Sequence, residues 1–314
     1  MNVEQPGAND PDTFLSSREG ERISLVLSSG GARGLAHIGV IRELEARGYR
    51  IDTIAGCSMG SLVGGLYALG RMEDFAGWVS SLERKDILGL LDITSNRGGF
   101  IGGNKIMAKL HEWTGDARIE DLPISYTAVA VDLEREREVW MNEGSLYEAI
   151  RASISIPGVF TPHLYRDRIL VDGSVLNPIP VAPTLHRLTD KMFVVDANGP
   201  PADEVLRRSA DPEEDEDNNW LRKVLGSVGW GSSSEKSIDQ KLDVISVMMR
   251  SLDTMQAALT RQHLAVFHPD CVFRVPRNLC MIHEFHRAEE IMDFGRAQAR
   301  RLLDDAELER RQWP

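Results

Sequence analysis

The sequence predicts an α/β fold with helices packed on a mostly parallel central sheet. Two consecutive strand-to-helix units carry that prediction, and an ordinary globular composition agrees with it. Ile23–Leu27 (ISLVL) is a continuous apolar run of strand length, the pattern of a buried strand. It passes through the glycine-rich turn Ser28-Ser29-Gly30-Gly31-Ala32-Arg33-Gly34 into a helix near Ala36–Arg47, with Ile38, Ile41 and Leu44 on one face and Gly48 as its stop. Ile51–Ala55 opens a second strand, and Gly56-Cys57-Ser58-Met59-Gly60 turns it into a helix over Met59–Leu69, closed by Gly70. A strand–helix–strand–helix order favours parallel pairing with helices on the sheet faces. At 314 residues, 42% hydrophobic and 27% charged, the chain is long enough for one large domain of this kind or two small ones.

The other elements follow in order. Residues 1–21 are polar and acidic and read as a disordered or loosely attached leader, without the apolar core of a signal peptide. Residues 22–199 form the expected core. Within it, 71–118 reads as helical with a glycine-rich break at Arg97–Gly103, and Asp86–Ile93 either lines a cleft or packs on the main domain. Ile124–Val131 alternates like a strand, and Glu138–Met141 is its candidate partner. Leu146–Ser153 is a short helix, Arg168–Val171 a strand ending at Asp172-Gly173, and Met192–Val195 another ending at Asp196.

Residues 200–236 break the pattern with the acidic run Asp211–Asp217, the amphipathic stretch Trp220–Val228 and a Gly/Ser tract. This insertion is read as a lid or membrane-docking element, or as a surface helix folded back on the core. Residues 237–314 read as a helical part packing on the core. They hold a long helix over Ile238–Leu264, with Leu252, Met255 and Leu259 in its apolar stripe, a strand at Cys271–Val275 and a closing helix over Glu284–Leu303.

Composition excludes some classes. Lys+Arg 36 against Asp+Glu 48 leaves a net charge of −12. That argues against a nucleic-acid partner, which needs a basic face. It also disfavours nonspecific adsorption to anionic lipid. Cys57, Cys271 and Cys280 are odd in number and lack metal-type spacing, as expected in a reducing, cytoplasmic compartment. No stretch approaches the roughly 20 apolar residues of a membrane span. No EF-hand-like carboxylate cluster implies calcium, so neither metal nor cofactor is expected.

The chemistry centres on Ser58. G-x-S-x-G between a strand and a helix is a nucleophile elbow, in which a strained turn holds the hydroxyl out above the sheet edge. Gly56 and Gly60 keep side chains out of that turn, and the helix N-terminus behind Ser58 favours developing negative charge. The amides of Gly30, Gly31, Ala32 and Arg33 lead into a helix and are candidate oxyanion donors. A phosphate-binding reading of the same turn lacks G-K-[ST], and a dinucleotide reading fails because Ser29 replaces its first glycine. Arg33 either neutralises charge near the oxyanion or ties the loop down through a salt bridge. Spacing alone leaves the base open, although Asp172 has the best local case, with Gly173 allowing a tight turn and Asn177-Pro178-Ile179-Pro180 fixing the loop after it. Asp132, Asp172 and Asp196 all end strands, and His186, His263, His268, His283 and His286 can each follow an aspartate in Ser–Asp–His order.

Leu25–Val40, the elbow, Ala149–Phe160 (AIRASISIPGVF) and Leu170–Val181 (LVDGSVLNPIPV) together closely resemble patatin-like phospholipases of bacterial type. The resemblance runs in order over most of Ile23–Val195 and more faintly through His268–Leu303. It implies a three-layer α/β/α fold and hydrolysis of lipid or fatty-acyl esters by a Ser–Asp dyad without histidine. It assigns Ser58 as nucleophile, Asp172 as base and Gly30, Gly31, Ala32 and Arg33 as the oxyanion loop, with Gly34 and Gly173 as supporting motif positions. Two positions depart from the family pattern: Ser29 replaces a glycine of G-G-G-x-[KR]-G, and Ser174 replaces the Gly or Ala of D-G-[GA]. An acyltransferase of the same fold, a non-catalytic regulatory module and a Ser–His–Asp hydrolase are the alternatives. Transient contact with the inner membrane face is an expectation; oligomeric state is left open.

Overall fold

β1 (Arg22–Leu27) lies in the middle of an eight-stranded sheet, parallel to β2 (Arg50–Cys57) on one side and to β7 (Lys191–Gly199) on the other. The computed structural model describes residues 20–90, 103–202 and 244–312. Most of the leader, the glycine-rich break up to Gly102, Ile93 in the apolar stretch before it, the acidic run and Trp220–Val228 lie outside the described residues. Beyond β7 comes β8 (Cys271–Pro276), also parallel. Beyond β2 comes β3 (Ser125–Asp132), parallel again. The antiparallel pairings all gather at β3: with β4 (Arg137–Met141), as the alternating sequence predicts, and with β6 (Arg168–Asp172), which in turn pairs β5 (His163–Tyr165). β5 escapes sequence reading because it is a three-residue edge strand with no buried face.

Strand alternation defines two packed faces. Leu25 and Leu27 of β1, with Phe193 and Val195 of β7, join the main core, whereas Val26 and Val194 join a second, smaller one. The main face is covered by α1 (Ala36–Ala46), α2 (Met59–Ala68), α6 (Leu146–Ser153) and the long C-terminal α8 (Ala288–Gln312). Ile179, Val181 and the partly buried Leu264 and Phe267 of α7 (Val244–Phe267) cover the other. The sheet therefore lies between helical layers, a three-layer α/β/α arrangement. Three further helices, α3 (Met72–Ser80), α4 (Arg84–Leu90) and α5 (Asn104–Thr114), flank the main face.

Two helical expectations are corrected. The closing helix starts only at Ala288, after a tight turn at Phe285–Arg287. In α7 the inward residues are Gln256, Ala257 and Thr260, while Met255 is 53% exposed. Of the expected stripe Met255 turns outward while Leu252 and Leu259 stay half-buried, because this part of α7 meets polar loop atoms of Ser29 and Ser174, and only its last turns, at Leu264 and Phe267, reach the sheet.

α8 is clamped to α1 by one buried carboxylate. Glu43 receives Arg47 at 3.1 Å, Arg296 at 3.2 Å and Arg300 at 3.3 Å. Removing it takes that partner from Arg296 and Arg300, while Arg47 keeps Asp304 and Glu307. Because Arg296 and Arg300 still reach solvent, Glu43→Ala is expected to cost about 1–2 kcal/mol. The check is a thermal melt, which should fall by several degrees.

Candidate active site

Ser58 stands at the N-cap of α2 with φ 54° and ψ −123°, a positive φ that a side chain rarely adopts. The flanking glycines make this turn possible. A Cβ on Gly56 would run into the Gly60 carbonyl, and one on Gly60 into the Leu27 carbonyl of the neighbouring strand. The Ser58 amide donates to Ser153 Oγ at 3.0 Å, and that hydroxyl donates to Val129 O at 2.6 Å. The elbow is thus braced from β3 through a serine that the sequence motif contained but did not explain.

Asp172 reaches the elbow through strand geometry. One edge of β3 pairs with β4 over Ala128–Asp132. On its other edge β2 pairs only up to Cys57↔Val129, and β6 takes over at Ala130↔Asp172, running the opposite way. β2 and β6 therefore abut end to end, which puts Asp172 beside the Cys57–Ser58 turn. The Asp172 amide donates to Ser155 O at 3.0 Å, so Ser153 and Ser155 hold both halves of the pair.

The Asp172 carboxyl is fully buried. Its Oδ1 accepts the Ser174 amide at 2.9 Å and faces Cys57 Sγ at 3.8 Å. Oδ2 has no hydrogen bond of good geometry, but the Ser58 hydroxyl is near enough to stabilise the charged form. Burial pushes the pKa up; Ser58, the amide and hydroxyl of Ser174 and the Cys57 thiol oppose it, and the net shift is upward. Burial and the adjacent Asp172 drive the Cys57 pKa well above its ordinary value, so its thiol stays protonated and acts as a donor.

The glycine loop, Gly30 to Leu35, lies beside the elbow at the carboxyl ends of β1 and β2, with Gly34 against Met59. Ser29 N–H donates to Pro178 O at 2.9 Å, tying the loop to the segment after Asp172. The Ala32 amide is committed to Ile282 O at 2.9 Å, which removes it from the oxyanion candidates. Arg33 holds the loop down, through neutral acceptors rather than an ion pair: Asn198 Oδ1 at 2.6 Å and Arg277 O at 2.8 Å. Asn198 also donates to Ser29 O at 3.0 Å. Gly173 is pressed against the Val129 carbonyl, where a side chain would not fit.

The other candidate bases sit elsewhere. Asp132 is paired with Arg135 at 2.9 Å, and Asp196 Oδ1 accepts the Asn198 amide. His186 is exposed, His263 faces Ile179 O, His268 faces Val266 O and His286 accepts Arg84. A cavity lined by Asp52, Thr53, Ser125 and Arg187 opens at the opposite end of the strands, where β2 and β3 begin, and shares no residue with this site. Among the described residues, no helix is long and apolar enough to cross a membrane.

A glycine-cradled elbow on an α/β sheet is an arrangement suited to acyl hydrolysis, and the sequence comparisons point to the same class. Residues 25–185 match the Patatin-like phospholipase family. An NTE family protein of Mycobacterium tuberculosis is 37% identical over 92% of this chain and 93% of its own length. Lysophospholipase NTE1 of Kluyveromyces lactis is 35% identical over 61% of this chain, which spans 14% of that protein. Among solved structures, VipD of Legionella pneumophila overlays with TM-score 0.49 and 14% identity, covering 91% of this chain and 67% of that one. The chain belongs to the patatin-like phospholipase family, and it is a lipid acyl hydrolase at the level of that family.

Proposed function

We propose that Ser58 is acylated by a lipid ester and that Asp172 is its general base. The observation that carries this reading is the end-to-end meeting of β2 and β6, which sets the strained serine against a buried carboxylate. In the first half-reaction Ser58 Oγ attacks the ester carbonyl while its proton passes to Asp172. The amides of Gly30, Gly31 and Arg33 face the oxyanion, and Asp172 returns the proton to the departing alkoxide. Water then attacks the acyl-enzyme while its proton passes to Asp172, and Asp172 returns that proton to Ser58 Oγ as the ester bond to the serine breaks and the fatty acid leaves. An unperturbed aspartate is a weak base, with pKa about 3.9, so its burial is useful.

The name of the Kluyveromyces relative supports a phospholipid or lysophospholipid among lipid esters. Such a substrate brings the protein transiently to a membrane surface, on the cytoplasmic side. A carboxylate base works only when charged. Activity is therefore expected to fall as pH drops through the raised Asp172 pKa, and the acid limb of kcat/KM should lie above the ordinary carboxylate range. The defining test is labelling with a fluorophosphonate, followed by peptide mapping and turnover of p-nitrophenyl esters of increasing chain length and of lysophosphatidylcholine. One adduct on the peptide holding Ser58, blocking turnover, is expected. An adduct elsewhere, or turnover that survives complete labelling, overturns the reading.

A further inference from the structure

The two departures from the family pattern, Ser29 and Ser174, lie on different loops, 145 positions apart by their numbering (174 − 29). One side chain joins them. Gln256 on α7 accepts Ser29 Oγ through Oε1 at 3.4 Å and donates through Nε2 to Ser174 Oγ at 3.1 Å. A glycine at 29 or a Gly or Ala at 174 would offer neither hydroxyl. We propose that Gln256 is a positioning residue of this hydrolase, clasping the oxyanion loop to the base loop and aiming the Ser174 hydroxyl at Asp172. The proposal rests on the reading of Ser58 and Asp172 above.

The direction of each bond makes the relay work. Because Gln256 Nε2–H occupies a lone pair of Ser174 Oγ, the hydroxyl hydrogen is directed away from Gln256 and is free to serve Asp172. The same hydroxyl is among the groups that favour the charged form of Asp172. Freed from Gln256, it can rotate away, and the buried carboxylate loses a donor. On the other arm, Ser29 is also held by Asn198 Nδ2 at 3.2 Å, and Asn198 grips Arg33. One amide on α7 therefore touches both loops that the reaction uses.

The groups beside Asp172 come from β2, the elbow and its own loop. From β2 and the elbow it meets the Cys57 thiol and the Ser58 hydroxyl, and from its own loop Ser174. Glu138 of β4 acts on Cys57 beside it. Asp253 of α7 acts on Arg33.

The test uses the full chain and two replacements of Gln256. Gln256→Met keeps length and volume but removes both hydrogen bonds, so a purely structural role would be largely preserved. Gln256→Glu can still accept from Ser29 but cannot donate to Ser174. With Met, the acid limb of kcat/KM is expected to move up by about 0.5–1 pH unit, and turnover near that limb to fall about 3–10-fold, a range that one weakened hydrogen bond supports. Glu should move it further, because it adds negative charge. Ser174→Ala should reproduce the shift, and Gln256→Met combined with Ser174→Ala should add little to it. The limb is read by ester turnover and, independently, by the pH dependence of fluorophosphonate labelling. An unchanged limb in both Gln256→Met and Ser174→Ala, or strictly additive effects, overturns the clasp while leaving the dyad intact. Full turnover in Asp172→Asn would overturn the dyad and the clasp with it. Should Gln256→Met fail to fold, Gln256→Glu and Ser174→Ala decide the matter together, an unchanged limb in Gln256→Glu overturning the clasp.

Discussion

Ser58→Ala and Asp172→Asn are each expected to lower kcat/KM for ester hydrolysis by about 10³–10⁴-fold, and the double variant by scarcely more than either single one. The non-additivity is the informative part, since nucleophile and base act in one step. Asn at 172 is nearly isosteric and still accepts the Ser174 amide on its oxygen, so the elbow and its loop should keep their geometry. What disappears is the capacity to take a proton. Cys57 cannot substitute as nucleophile, because its pKa is driven up by burial and its sulfur faces Asp172 Oδ1. Alanine at His186, His263, His268, His283 or His286 should leave kcat within a few-fold of wild type. One histidine variant as inactive as Asp172→Asn would instead indicate a Ser–His–Asp hydrolase. Steady-state kinetics beside a far-UV spectrum and a thermal melt separate these outcomes.

The second large effect is expected at a residue with no chemistry of its own. Gly60 lies one position past Met59 in the first turn of α2, and a Cβ there would strike the carbonyl carbon and oxygen of Leu27 and also crowd the Ser28 carbonyl. These are backbone atoms of β1 and the start of the glycine loop, so no side-chain rotation relieves the clash. Gly60→Ala must push α2 away from β1. That is expected to cost about 2–3 kcal/mol, in the range of overpacking a close-fitting core. Since Ser58 caps α2, the same displacement moves the hydroxyl from Asp172 and from the Gly30–Arg33 loop. Fluorophosphonate labelling should therefore be slowed far more than the thermal midpoint falls. Gly77→Ala is the control. Nothing lies within 4 Å of a Cβ at that exposed position inside α3, so labelling should be unchanged and the thermal midpoint should hold or rise slightly, as for any glycine replaced by alanine within a helix.

The legible parts of this protein were those in which one short segment carries its own signal. The run ISLVL makes β1 wherever it is buried, and Ile38, Ile41 and Leu44 can share a face only on a helix. G-C-S-M-G announces a strained turn because only glycines fit on both sides of it. Less legible were elements whose signal comes from what they pack against. The three residues of β5 form a strand only because β6 offers them an edge. α7 was read with an apolar inward stripe, yet it turns Gln256 and Thr260 inward because it covers polar loops.

The strand–turn–helix units, the elbow around Ser58 and the glycine loop before α1 can be read from contiguous residues alone. Spacing alone does not choose among Asp132, Asp172 and Asp196 for the base; Gly173 and the Asn177–Pro180 segment give Asp172 the best local case, and the family resemblance names it. The tertiary structure decided that Asp172 faces the elbow, because β3 extends beyond β2 and lends its free edge to an antiparallel strand. It also decided that the Ala32 amide is engaged with Ile282, that Arg33 is a structural tie, and that Ser153, Ser155 and Gln256 brace the site. Ser29 and Gln256 are 227 positions apart in the chain, and Cys57 and Asp172 are 115 apart. Contacts of that span arise only when the whole sheet closes, and no local pattern of residues encodes them.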